Sequence, residues 1–120
     1  LMRSSAASDV YKRQRMDLDD IHNNFYAGIH AANMAGTWQG IVFGFAGVRS
    51  NAGYLQINPK LPGQWKSYEF RLQYKGSGLN IKVTDKKVEY TLLNDCELSY
   101  ESLGEKIVLS KEGDKYVQEI

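Results

Sequence analysis

The chain has a single cysteine, Cys96, among its 120 residues. That excludes an internal disulfide framework and fits a reducing compartment, so a cytoplasmic protein is the expectation. It also lacks an excess of either charge: 15 basic residues stand against 14 acidic, a formal net charge of +1. Neither the basic surface that tracks nucleic acid nor an acidic tail is present. Cys96, His22 and His30 have no ligand spacing for zinc, and no metal or cofactor is expected. No run has the makeup of a secretory signal. The most apolar stretch, Tyr26 to Phe45, is broken by His30, Asn33, Gln39 and its glycines, which makes it a poor membrane span. Internal repeats and low-complexity tracts are missing from residues 15–120.

What is present divides into three parts. Leu1 to Gln14 (LMRSSAASDVYKRQ) has neither helical nor strand periodicity, and SSAASDVYKRQ resembles translated adaptor sequence from the ends of assembled reads. Residues 1–14 are therefore expected to be non-native and are set aside, leaving 12 basic and 13 acidic residues, net −1. An adaptor fused in frame leads us to expect a chain that continues upstream, with the remainder a C-terminal piece.

Arg15 to Asn24 (RMDLDDIHNN) follows, with three aspartates in four positions. A metal or acid/base cluster is one reading. A loop whose Asp and Asn side chains cap backbone amides is the better one, because the glycine and later glutamate of a calcium loop are missing. His22 belongs to this loop, expected exposed or in a local hydrogen bond. A helix is then expected from about Ala27 to His30 through Phe45. Gly36, Gly40 and Gly44 fall every four residues along one face, and each mid-helix glycine costs roughly 1 kcal/mol relative to alanine. Three in register suggest close packing of another backbone. Met34, Trp38, Ile41, Val42 and Phe45 fill the other faces, as in a buried helix.

From Gly53 the period changes to two. Tyr54, Leu55 and Ile57 begin a strand that stops at Pro59. Tyr68, Phe70, Leu72 and Tyr74 alternate with Glu69, Arg71, Gln73 and Lys75 in the clearest strand. Further strands are predicted around Leu79–Val83, Val88–Leu92, Glu97–Glu101, Lys106–Ser110 and Tyr116–Ile120, with turn residues between them. Six or seven short strands at this spacing describe a small antiparallel β-sandwich. The domain boundaries expected are 1–14, 15–50 and 51–120.

His30 is the residue of chemical interest. In the first turn of the helix it shares a side with Asn33, Met34 and Thr37, where free amides and the helix dipole suit an anion. A satisfied core or capping histidine fits the same residues. Tyr54, Trp65, Tyr68, Tyr74, Tyr90 and Tyr100 could stack on sugars, but most lie on the inward phase of their strands.

Asp17 to Asp20 (DLDD), then Gly28 to Trp38 (GIHAANMAGTW) and Gly44 to Arg49 (GFAGVR), resemble the end of the catalytic domain in glycoside hydrolase family 65. This is the family of maltose, trehalose, kojibiose and nigerose phosphorylases. Gly53 to Phe70 (GYLQINPKLPGQWKSYEF) resembles the start of its C-terminal β-sandwich. The resemblance implies an α+β piece: the terminal helix of an (α/α)6 barrel followed by the sandwich. It implies a phosphate site at His30 with Asn33, Met34 and Thr37, and some members carry Ser where Asn33 stands. It implies no catalytic residue here, since the general acid, a glutamate, lies upstream. The full-length enzyme is expected to cleave an α-glucoside with inorganic phosphate as co-substrate, giving β-glucose 1-phosphate with inversion. Its partners would be a disaccharide and phosphate, without nucleic acid or membrane, and a homodimer stays open. The alternatives are a hydrolase of the same family and a free-standing carbohydrate-binding or interaction module.

Overall fold

A computed structural model describes Arg15, Asp19, Asn23 and residues 25–28, 31–50 and 52–120, leaving aside the side chains of Phe25 and Asn33. The adaptor-like segment, His22, His30 and all aspartates of the acidic loop but Asp19 lie outside these residues. The chain forms two compact units, Leu1–Phe45 and Ala46–Ile120.

In the first unit, Asp19 takes the structural role. Its carboxylate accepts from Nε and Nη2 of Arg15, both at 2.5 Å, while its amide donates to the Arg15 carbonyl at 2.8 Å. The helix is shorter than the periodicity predicts. Phe25–Ala27 makes one 3-10 turn, and Gly28 follows at φ +100°, a left-handed conformation that interrupts helical propagation. Helix α1 then runs from Ala31–Gln39, where Ala31, Ala32, Met34 and Ala35 favour it. It widens into a π-helix over Gly40–Phe45.

Glycines and the β-branched Ile41 and Val42 gather where the α form gives way. Their weak helix propensity leaves it little advantage there. The wider i→i+5 turn has a visible consequence. In an α-helix Trp38 and Phe43 would stand roughly 140° apart around the axis; here their rings meet edge to face at 5.6 Å and 86°. The expected glycine face is also disturbed, since four residues exceed one α turn and fall short of one π turn. At Gly44 a Cβ would meet nothing within 4 Å, so the close backbone approach predicted for that face is not found at this position.

The second unit is a β-sandwich. One sheet has the order β1 (Leu55–Ile57), β5 (Leu98–Ser102), β6 (Glu105–Leu109). The other has the order β2 (Ser67–Tyr74), β3 (Ser77–Thr84), β4 (Lys87–Leu92), β7 (Lys115–Glu119). The expectation of an all-antiparallel sandwich is corrected at one pair: β1 runs parallel to β5, with Leu55 beside Tyr100 and Ile57 beside Ser102. A parallel neighbour needs a long crossover, and the β2–β4 segment supplies it.

Alternation builds the core as predicted. Leu55 and Ile57 are buried with Leu98, Tyr100, Ile107 and Leu109 from one sheet, and with Phe70, Leu79, Ile81, Val83, Val88, Tyr90 and Leu92 from the other. The outer face of the four-stranded sheet is a charge ladder, with Glu69 paired to Lys82 and Lys82 to Glu89. Two hairpins close through two residues at positive φ, Lys75–Gly76 (49° and 86°) and Leu103–Gly104 (50° and 85°), matching the primed turns that follow sheet twist. At the β3–β4 turn, which lacks a glycine, the Thr84 hydroxyl substitutes: it donates to the Lys87 carbonyl at 3.0 Å and accepts from the Lys87 amide at 3.2 Å.

One part of the interior is polar. Gln118 of β7 points inward while its neighbour Val117 is 48% exposed, the reverse of their hydropathies. The reason is a network between the sheets. The Tyr90 hydroxyl donates to Ser102 Oγ at 2.5 Å, Ser102 Oγ donates to Gln118 Oε1 at 2.6 Å, and Gln118 Nε2 donates to the Ser102 carbonyl at 3.2 Å.

Candidate functional site

The residues expected to bind phosphate lie at and just before the start of α1. His30 lies outside the described residues, and of Asn33 only the helical backbone is described. Met34 and Thr37, three residues apart, are neighbours on the α1 surface. Met34 is 48% exposed, whereas Thr37 is buried. The first turn of α1 carries no acidic residue, and a helix start is where the dipole favours negative charge. Tyr26, Trp38 and Phe43 are also exposed. The helix is thus not buried on several sides among the described residues, and the burial expected of it is against chain outside these 120 residues.

Two carboxylates of the sandwich are shifted the wrong way for a general acid. Glu89 is held below the ordinary carboxylate range by its hydrogen bond and ion pair with Lys87 at 3.0 Å. Asp114 is held low by the Lys111 and Ser110 amides that it caps at 2.9 Å. A general acid needs the opposite shift. Among the six aromatics weighed as sugar platforms, Tyr68, Tyr90 and Tyr100 are buried, as their strand phase predicts. Burial pushes the Tyr90 phenol up to about 12 and raises those of Tyr68 and Tyr100 further. Trp65 and Tyr74 are half-buried, and Tyr54 alone of the six is exposed.

Residues 48–109 match the model of the glycosyl hydrolase family 65 C-terminal domain. The chain belongs to glycosyl hydrolase family 65. Among its relatives, alpha,alpha-trehalose phosphorylase of Geobacillus stearothermophilus is 44% identical over 98 residues, 82% of this chain and 13% of that protein. Maltose phosphorylase of Bacillus subtilis is 36% identical over 104 residues, 86% of this chain and 14% of that protein. A solved human-microbiome protein provisionally named kojibiose phosphorylase superposes with a TM-score of 0.81 at 30% identity, over 94% of this chain and 16% of its own. The chain therefore spans about an eighth of the length of the curated relatives it matches. No described helix is long and apolar enough to cross a membrane.

Sequence reasoning missed one surface feature of this family 65 sandwich. On the three-stranded sheet, Tyr54, Ser99, Glu101 and Lys106 line a hollow of ≈ 330 Å³. The outward phase of Ser99 and Glu101 was readable from alternation. Their meeting with Tyr54 was not, because it depends on β1 lying against a strand some forty-five positions later.

Proposed function

We propose that this chain serves in an enzyme that cleaves an α-glucosidic bond with inorganic phosphate, inverting the anomeric centre to release β-glucose 1-phosphate. The observation that carries this reading is its similarity to trehalose, maltose and kojibiose phosphorylases over most of its length. On this reading Ala31–Gln39 and its π-helical continuation Gly40–Phe45 form the terminal helix of an (α/α)6 barrel, and the exposed Met34, Trp38 and Phe43 pack against other barrel helices.

Phosphate arrives as an anion and needs no base, unlike the water of an inverting hydrolase. The protein's task is to hold it aimed at the anomeric carbon, through positioning and complementary charge. In this proposal the free amides of the first turn of α1, the His30 imidazole and the Asn33 side chain bind the phosphate oxygens. Met34 and Thr37 shape the wall beneath. The general acid comes from elsewhere in the enzyme, so the 120 residues alone are expected to be catalytically inactive.

The test is steady-state kinetics on the full-length enzyme, with the product anomer read by NMR. His30→Ala should raise KM for phosphate at least tenfold and leave KM for the disaccharide within twofold. Unchanged phosphate dependence would remove His30 from the site. Turnover without phosphate, yielding free glucose, would make the enzyme a hydrolase.

A further inference from the structure

The hollow on the three-stranded sheet has the makeup of a built site. Strand pairing sets its walls: β1 places Gln56 beside Glu101, and β6 places Lys106 opposite Glu101. Gln56 Nε2 donates both to the Tyr54 hydroxyl at 3.0 Å and to Glu101 Oε1 at 3.3 Å. A single amide thus ties an aromatic ring and a carboxylate together and limits the freedom either would lose on binding. The Tyr54 ring is 42% exposed even so. Lys106 forms no ion pair with Glu101 among the described residues, although it is its cross-strand partner. Acceptor and cation thus both line the hollow, with hydrogen-bonding capacity to spare.

These features select a ligand chemistry. An anion would meet Glu101 and a cation Lys106, and a wholly apolar ligand would strand both charges. A pyranose suits all three groups, since it has an apolar C–H face for the ring and a rim of hydroxyls that both donate and accept. At ≈ 330 Å³ the hollow lies at the small end of ligand pockets, a size for a mono- or disaccharide.

We propose that this hollow is a carbohydrate-binding site of the sandwich, taking a neutral pyranose unit stacked on Tyr54 and hydrogen-bonded to Glu101 and Lys106. It goes beyond the phosphorolysis reading and does not require it. The experiment titrates the ¹⁵N-labelled 120-residue chain with maltose, and in parallel with sorbitol, an open-chain polyol lacking a ring face. Maltose should give saturable, millimolar shifts of amides at and beside Tyr54, Gln56, Ser99, Glu101 and Lys106, and sorbitol should give none. Tyr54→Ala should weaken binding at least tenfold, and Lys106→Ala about fivefold or more. Tyr54→Phe, which keeps the ring and loses only the link to Gln56, should retain most of it. No saturable shift, an equal response to sorbitol, shifts mapping elsewhere, or unchanged binding in Tyr54→Ala would each overturn the assignment. Sugar binding here without phosphorolysis, or the reverse, separates this proposal from the function proposed above.

Discussion

Replacing Ser102 by alanine tests how the two sheets are held together. Ser102 is fully buried, and its hydroxyl accepts from Tyr90 at 2.5 Å while donating to Gln118 Oε1 at 2.6 Å. Ser102→Ala removes both interactions and strands two buried polar atoms, each at a cost of about 1–3 kcal/mol. The Tyr100 hydroxyl is already buried without a partner, so the region bears one such cost in the native protein. The two atoms stranded by the substitution together give an expected loss of about 2–6 kcal/mol. A sandwich spanning Ala46–Ile120 is expected to have a total stability of order 4–11 kcal/mol, so the variant should stand near the edge of folding.

The triple variant Tyr90→Phe, Ser102→Ala, Gln118→Leu removes every side-chain member of the network. No side-chain partner is left stranded and only the Ser102 carbonyl loses the Gln118 amide, so it should be clearly more stable than the single variant and within about 2 kcal/mol of the native protein. Urea unfolding followed by far-UV circular dichroism measures all three species, with constant m-values showing that the midpoints report stability. A loss below about 1 kcal/mol for Ser102→Ala, or a triple variant less stable than the single, would refute the reasoning.

Gly47 has φ +61°, and a Cβ there would lie 2.8 Å from the Asn58 carbonyl oxygen, whereas Gly113, at φ +86°, faces open space. Gly113→Ala should cost about 1 kcal/mol through its backbone alone, and Gly47→Ala clearly more; equal losses in thermal unfolding would count against the contact. Alkaline stability should fall because the folded-state pKa of Tyr90 is raised from 10.0 to about 12. The stabilisation is complete below the unfolded value near 10 and is lost as pH rises from there towards 12. Tyr68 and Tyr100 act in the same sense. Urea midpoints between pH 8 and 11 should decline, less steeply in Tyr90→Phe, and a flat profile would argue that these phenols are not kept from ionising by the fold.

Much of the sandwich was legible because alternation is a local property. The run from Tyr68 to Lys75 declares its buried face, and Leu79, Ile81 and Val83 do the same. Turn positions followed too, except that Ser77 and Gly78 belong to β3, where the Asn94 side chain accepts from the Gly78 amide at 2.8 Å. The parallel pairing of β1 was not legible, because strand direction within a sheet depends on the path of the intervening chain. The inward turn of Gln118 was hidden for a related reason: a buried amide is tolerable only once Ser102 meets it, sixteen positions away. In the helix, the residues announced a helical segment but not its change to the wider turn, which rests on a small balance of propensities. Of the four residues proposed to bind phosphate, the structure describes the side chains of two, Met34 exposed and Thr37 buried, a difference that spacing alone does not record.

Composition and periodicity by themselves determined a helix followed by a small β-sandwich and the phase of most strands. Each follows from interactions between residues a few positions apart, which the order of side chains records directly. Only the tertiary structure decided the order of strands in the two sheets, the Tyr90–Ser102–Gln118 network, and the hollow where Tyr54, Glu101 and Lys106 meet. Those depend on which distant strands come to lie together, a choice made by the burial of the whole core and not by any single stretch of it.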